Sequence, residues 1–105
     1  MIARIWHGYT TPDNADAYFR VLTTSVIPGI AAMNIAGFRS IQVLRRALGD
    51  EVEFITIIHF DSLENIKAFT GEDYETAHVP AEARAVLKRY DARAQHYEIV
   101  EQREC

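Results

Sequence analysis

The chain has 105 residues, of which 49% are hydrophobic and 25% charged. That is one domain, 1–105, with enough apolar content for a core, and it excludes a disordered, collagen-like or coiled-coil chain. Eleven basic against fifteen acidic residues give a net charge of −4, so there is no electrostatic footprint for nucleic acid or for an anionic membrane.

The single cysteine, Cys105, leaves no internal disulfide. At the end of the chain it is also a poor catalytic thiol. Met1–His7 lacks the basic head and long apolar run of a signal peptide. No stretch approaches the ~20 apolar residues of a membrane helix. Cytoplasm is the expected compartment.

Ile2 to Tyr9 mixes β-branched and aromatic residues and reads as a strand. Thr11-Pro12-Asp13-Asn14 then starts a helix, capped either by Thr11 with Pro12 at the first position or by Asp13. Ala15, Tyr18, Phe19, Leu22 and Val26 recur at helical spacing, and Pro28-Gly29 is expected to stop or kink that helix. Residues 30–36 are ambiguous. Phe38 to Leu48 and Val52 to Asp61 flank the turn signal Gly49-Asp50 and predict a β-hairpin. Ser62 is an N-cap, Leu63, Ile66 and Phe69 form an apolar stripe, and Gly71 ends the helix. Pro80 opens another helix, with Ala83, Val86, Leu87 and Tyr90 on its buried face, and a last strand runs from about Ala94 to Glu101. The order β-α-β-β-α-β is that of an α+β, ferredoxin-like sandwich: a four-stranded antiparallel sheet with helices on one face. Right-handed crossovers put the first and third strands in the centre.

The third strand shows Phe54, Thr56, Ile58 and Phe60 on one side and Ile55, Ile57 and His59 on the other. Both faces are largely apolar, whereas a sheet wetted on one side alternates cleanly. The helices cover one face only. A homodimer closing over the other, sheet against sheet, accounts for the pattern.

Phe60-Asp61-Ser62-Leu63-Glu64-Asn65-Ile66-Lys67-Ala68-Phe69 at a strand-to-helix junction, then Gly71-Glu72-Asp73-Tyr74, Ala77-His78 and the closing His96-Tyr97-Glu98-Ile99, carry a resemblance over nearly the whole chain. The chain resembles the antibiotic biosynthesis monooxygenase-like domains of the dimeric α/β-barrel superfamily. The resemblance implies a dimeric α/β barrel and the chemistry of a small monooxygenase acting on an aromatic or quinol-like molecule, with no metal, flavin or haem as cofactor. Haem-degrading members share the Ala77-His78 position. They carry tryptophan where Phe69 stands and asparagine in the first strand, where Ile2–Tyr9 has none.

The histidines are the candidates for proton transfer, since imidazole titrates near neutrality. His59-x-Asp61 and His96-x-Glu98 each place two potential metal ligands on one strand face. Their strands run parallel with another between them, which puts the pairs at opposite ends of the sheet, so no metal site is expected. A second grouping brings His7, His96, His78 and Tyr74 to one mouth of the sandwich, where Arg45 and Arg46 also arrive. Here His78, alternatively His7, is the base, Tyr74 and one arginine orient the anion, and Arg45, His96 and Trp6 are the substrate-binding candidates. Equally, His78 could cap the helix at Pro80. The residue types favour structural roles for the others: Trp6 and Tyr74 in the core, His7 and His96 at the dimer interface or a sheet edge, and one of Arg45 and Arg46 solvated.

Overall fold

Alternation along the first strand sets the layout. The computed structural model describes residues 1–105 and places β1 (Ile2–Thr10) beside β3 (Val52–Phe60), which pairs in turn with β2 (Phe38–Ala47). On its other side β1 pairs with two short strands, β4 (Arg89–Tyr90) and β5 (Gln95–Glu98). All pairs are antiparallel, and the first and third strands are central, as the crossover rule requires. In β1, Ile2, Arg4, Trp6, Gly8 and Thr10 share the helix-covered face with Phe60, Ile58, Thr56, Phe54 and Val52 opposite them. Ala3, Ile5, His7 and Tyr9 face the uncovered side.

The first helical stretch does not stop at Pro28. It runs as α1 (Ala15–Val21), a π-helical turn over Leu22–Val26, and α2 (Ile27–Ala32). A proline in an α-helix loses one N–H bond and drives its ring toward the carbonyl four residues back. Widening the turn before it relieves that conflict: Ile27 N–H donates to Leu22 O instead. The hydroxyls of Thr23 and Thr24 bond the carbonyls of Phe19 and Arg20 at 3.0 and 2.6 Å. Asn34, with φ +52°, ends the run in the left-handed conformation. At the start, Thr11 is extended and Pro12 leads a 3₁₀ turn, the position given by the first of the two alternatives, but the Thr11 side chain makes no capping hydrogen bond.

α3 (Leu63–Thr70) follows the sequence closely. Ser62 accepts from the Asn65 N–H, Ile66 is fully buried, and Gly71, with φ +95°, ends the helix. The helix opened by Pro80 is shorter than its pattern suggests: α4 spans Ala81–Arg84 only. Tyr90 lies in β4, not on a helix.

The single last strand expected from Ala94 is likewise two pieces. Between Gly8↔Tyr90 and Ile5↔Gln95, four residues, Asp91 to Ala94, stand opposite two, Trp6 and His7. The surplus swings out and pairs with the 75–77 segment: Ala77 N–H to Ala92 O at 2.9 Å and Ala94 N–H to Glu75 O at 2.7 Å. This non-local pairing draws the chain before His78 against the sheet.

The apolar interior is in two parts. One gathers Tyr18, Leu22 and Phe54; the other Ile58, Phe60 and Ile66. No helix is long and apolar enough to cross a membrane.

Candidate functional site

A cavity of about 430 Å³ lies between helices and sheet, walled by members of both core clusters. Its floor is the sheet, with Arg4, Trp6, Thr56 and Ile58; its roof is the widened helix, with Leu22, Val26 and Ile30. Phe69 and Thr70 of α3 and the segment from Ala77 to Pro80 complete the wall. The lining is mostly apolar with a few polar groups, the composition of a small-molecule site.

Trp6 is fixed as part of that wall. Its indole N–H donates to Asp91 O at 2.7 Å, and its ring lies across Gly8. A Cβ at Gly8 would stand 2.9 Å from the ring, so glycine is what lets the indole lie flat there.

His78 is exposed on its outer side and lines the cavity. Its Nε2–H donates to Thr70 O at 3.2 Å, which fixes the ring and leaves Nδ1 as the free acceptor. It holds a carbonyl at the end of α3 and does not cap α4, whose N-cap is Pro80.

The most buried charge in the cavity is Arg4, only 6% exposed. Its Nη1 donates to Tyr74 O at 2.5 Å and to His96 Nε2 at 2.9 Å, and its Nη2 donates to Thr76 O at 3.4 Å. The Phe69 ring lies 5.9 Å from the guanidinium carbon. A buried cation without a counter-charge costs several kcal/mol, and none of these partners is a carboxylate. Burial lowers the Arg4 pKa to about 10. It also lowers that of His96, with the adjacent Arg4 charge as a second cause. His96 is therefore the neutral acceptor, with its proton on Nδ1, an atom that is buried without a partner.

Sequence reasoning missed Arg4, because arginine on a strand is read by default as solvated. The signal was its parity with Ile2 and Trp6.

The grouping of His7, His96, His78, Tyr74 and Arg45 at one mouth is not what forms. His7 and Trp6 are successive residues and point to opposite faces. His7 is on the uncovered face, 3.2 Å from Glu53 Oε2. His96 stands opposite Arg4, not near His7, because the chain already pairs with β1 from Arg89 rather than from Ala94. Tyr74 offers Arg4 its carbonyl, while its ring packs edge-on against His96 at 5.2 Å. Arg45 pairs with Asp16 at 3.0 Å and lies over the Phe54 ring, away from the cavity lining.

The two strand histidines also need correction. His59 stands opposite Ala3 and His96 opposite Arg4, so they are neighbours along β1 rather than at opposite ends. The faces of the sheet, not its length, keep them apart. His59 bonds Ser40 Oγ at 2.9 Å, and Asp61 pairs with Arg39.

Comparison with known proteins reveals no matching family model and no matching curated protein. Solved structures do match. A candidate antibiotic biosynthesis monooxygenase from Bacillus cereus superposes with a TM-score of 0.70 at 14% identity, covering 100% of this chain and 96% of that one. The haem degrader MhuD from Mycobacterium tuberculosis, solved with two haems in its active site, gives 0.62 at 20% identity over 99% and 100%. Rv0793 from the same organism gives 0.62 at 19% identity over 98% of each chain. The chain thus has the fold of the antibiotic biosynthesis monooxygenase-like domains.

Proposed function

We propose that the protein is a cytoplasmic, homodimeric monooxygenase that needs no bound cofactor and acts on an aromatic or quinol-like small molecule. The observation that carries this reading is the apolar cavity of about 430 Å³ with an imidazole, His78, in its wall. A flat ring system fits between Trp6, Phe69 and Ile58. His78 Nδ1 takes the proton of an acidic phenol, and the electron-rich anion reacts with O₂ at an activated CH₂ carbon. One oxygen atom becomes a carbonyl there. The other leaves as water with the two hydrogens of that carbon, and the substrate supplies the electrons.

The uncovered sheet face supports the dimer. Leu44 and Tyr97 are 43% and 57% exposed there, beside half-buried Ile5, Ile55 and Ile57. Apolar side chains that are contiguous on central strands mark an interface.

A haem would have His78 Nδ1 as its ligand, since Nε2–H is held by Thr70 O. The other two positions of the haem-degrading members are absent: Phe69 stands in place of tryptophan, and Ile2–Tyr9 has no asparagine.

The test is oxygen uptake with a panel of hydroxy-arenes bearing an activated CH₂ group, with labelled O₂ to follow the incorporated atom. Turnover is expected, falling by about 100-fold or more in His78→Ala and unchanged in His59→Ala on the opposite face. Binding without uptake across the panel would leave a non-catalytic binding module. A haemin Soret shift that is lost in His78→Ala would replace both readings by haem binding.

A further inference from the structure

Arg4 takes no part in the reaction just described, yet it is the most buried charge on the cavity floor. Guanidinium has five N–H donors. Three are used by Tyr74 O, His96 Nε2 and Thr76 O. The Nε–H and one Nη2–H have no acceptor within the chain. We propose that Arg4 is the recognition site for an acidic oxygen, a carboxylate or phenolate, on an otherwise apolar ring-bearing ligand of the cavity. The inference rests on the cavity being the ligand site.

The surrounding groups agree. A buried guanidinium with two donors to spare binds an oxyanion more strongly than a neutral oxygen. Among its neighbours, His96 is an acceptor at Nε2 and brings no positive charge, and Tyr74 and Thr76 contribute carbonyls only. Lys67 lies beyond the Tyr74 ring, 5.9 Å from its centroid. Glu75, the carboxylate closest in sequence, is engaged by Arg93 at 2.9 Å. Glu82, on the α4 side of the cavity, accepts from Ser25 at 2.5 Å. None of these carboxylates neutralises Arg4, so the counter-charge is left for the ligand to bring. Its ring would then rest on Trp6 and Ile58, and its oxygen would lie at the floor, away from His78 on the wall.

The competing role for Arg4 is a tether, holding the 74–76 segment to β1 through two carbonyls. Ligand charge discriminates between them. Trp6 is the only tryptophan and lines the cavity, so its fluorescence reports occupancy. Naphthalene-2-carboxylate and naphthalene-2-carboxamide have the same ring and differ in charge. The wild type is expected to bind the carboxylate tighter by at least about tenfold. Arg4→Gln should remove the preference, weakening the carboxylate by at least about tenfold more than the carboxamide. In a second arm, 4-nitrophenol bound to the wild type should ionise at a lower pH than in solution, and not in Arg4→Gln, which extends the site to phenolates. Equal affinity for acid and amide in the wild type would overturn the inference while the cavity reading stands. Failure of both probes to quench Trp6 would remove the cavity reading, and the inference with it. The wild-type comparison decides the matter even where Arg4→Gln fails to fold.

Discussion

On the uncovered face of the sheet, His7 and Tyr9 both reach Glu53 Oε2, at 3.2 and 3.3 Å, and Arg46 reaches Oε1 at 3.2 Å. On the helix-covered face, Arg4 is surrounded by two carbonyls, a neutral imidazole and an aromatic ring. The first set is complete without any other molecule: every charge has its opposite. The second has donors left over in a hollow place. Buried polar groups in folded proteins are nearly always satisfied, so an incomplete set beside a cavity points to what the cavity holds. Two residues of one strand, three positions apart, thus have different purposes. His7 belongs to the surface that the dimer would cover, and Arg4 to the chamber.

The largest expected effect lies on the uncovered face. Ile57 is at its centre, between Ile5 and Gln42. Ile57→Arg should take the light-scattering mass from twice 12.0 kDa to the single-chain value, with the far-ultraviolet spectrum unchanged. A wild type that already scatters as one chain would break the contrast between the faces. A smaller effect separates the two charge sets by pH. The hydrogen bond from His7, followed by those from Tyr9 and Arg46, holds Glu53 below the ordinary carboxylate value of 4.5. Because the folded pKa is depressed, the network adds stability above that value and loses it as pH falls through the folded one. Glu53→Gln should therefore melt lower than the wild type at neutral pH, with the gap closing in acid; a gap independent of pH would sink the assignment. Arg45→Ala should do least. Its partner Asp16 is largely exposed, so the loss is under about 1 kcal/mol, and naphthoate binding should not change.

What could be read from the sequence was local. Gly49-Asp50 closes the hairpin, Ser62 caps α3 and Gly71 ends it, because each acts on its immediate neighbours. The paired hydrophobic faces of β3 were legible for the same reason. The last strand was not, since its break depends on residues 75–77 pairing with residues 92–94, a contact no local pattern announces. The pairing also begins earlier than expected, at Arg89 rather than Ala94, which puts His96 opposite Arg4 instead of His7. The face of His7, by contrast, was open to reading. Trp6 and His7 are adjacent in a strand, so the two could never line one pocket. Arg45 failed as a site residue because a strand end near the right mouth is not a direction: its guanidinium turns to Asp16 on α1.

The widened turn before Pro28 has a geometric consequence for the chamber. A four-residue step in an α-helix overshoots one turn by about 40°, and three such steps by about 120°. At that rate Ile30 would have swung well away from the direction of Tyr18. The π turn advances less per residue and takes back part of the drift, so Tyr18, Leu22, Val26 and Ile30 all still look down on the sheet. The proline that threatened to end the helix thereby comes with the correction that keeps four successive rungs of the ceiling in phase with the floor.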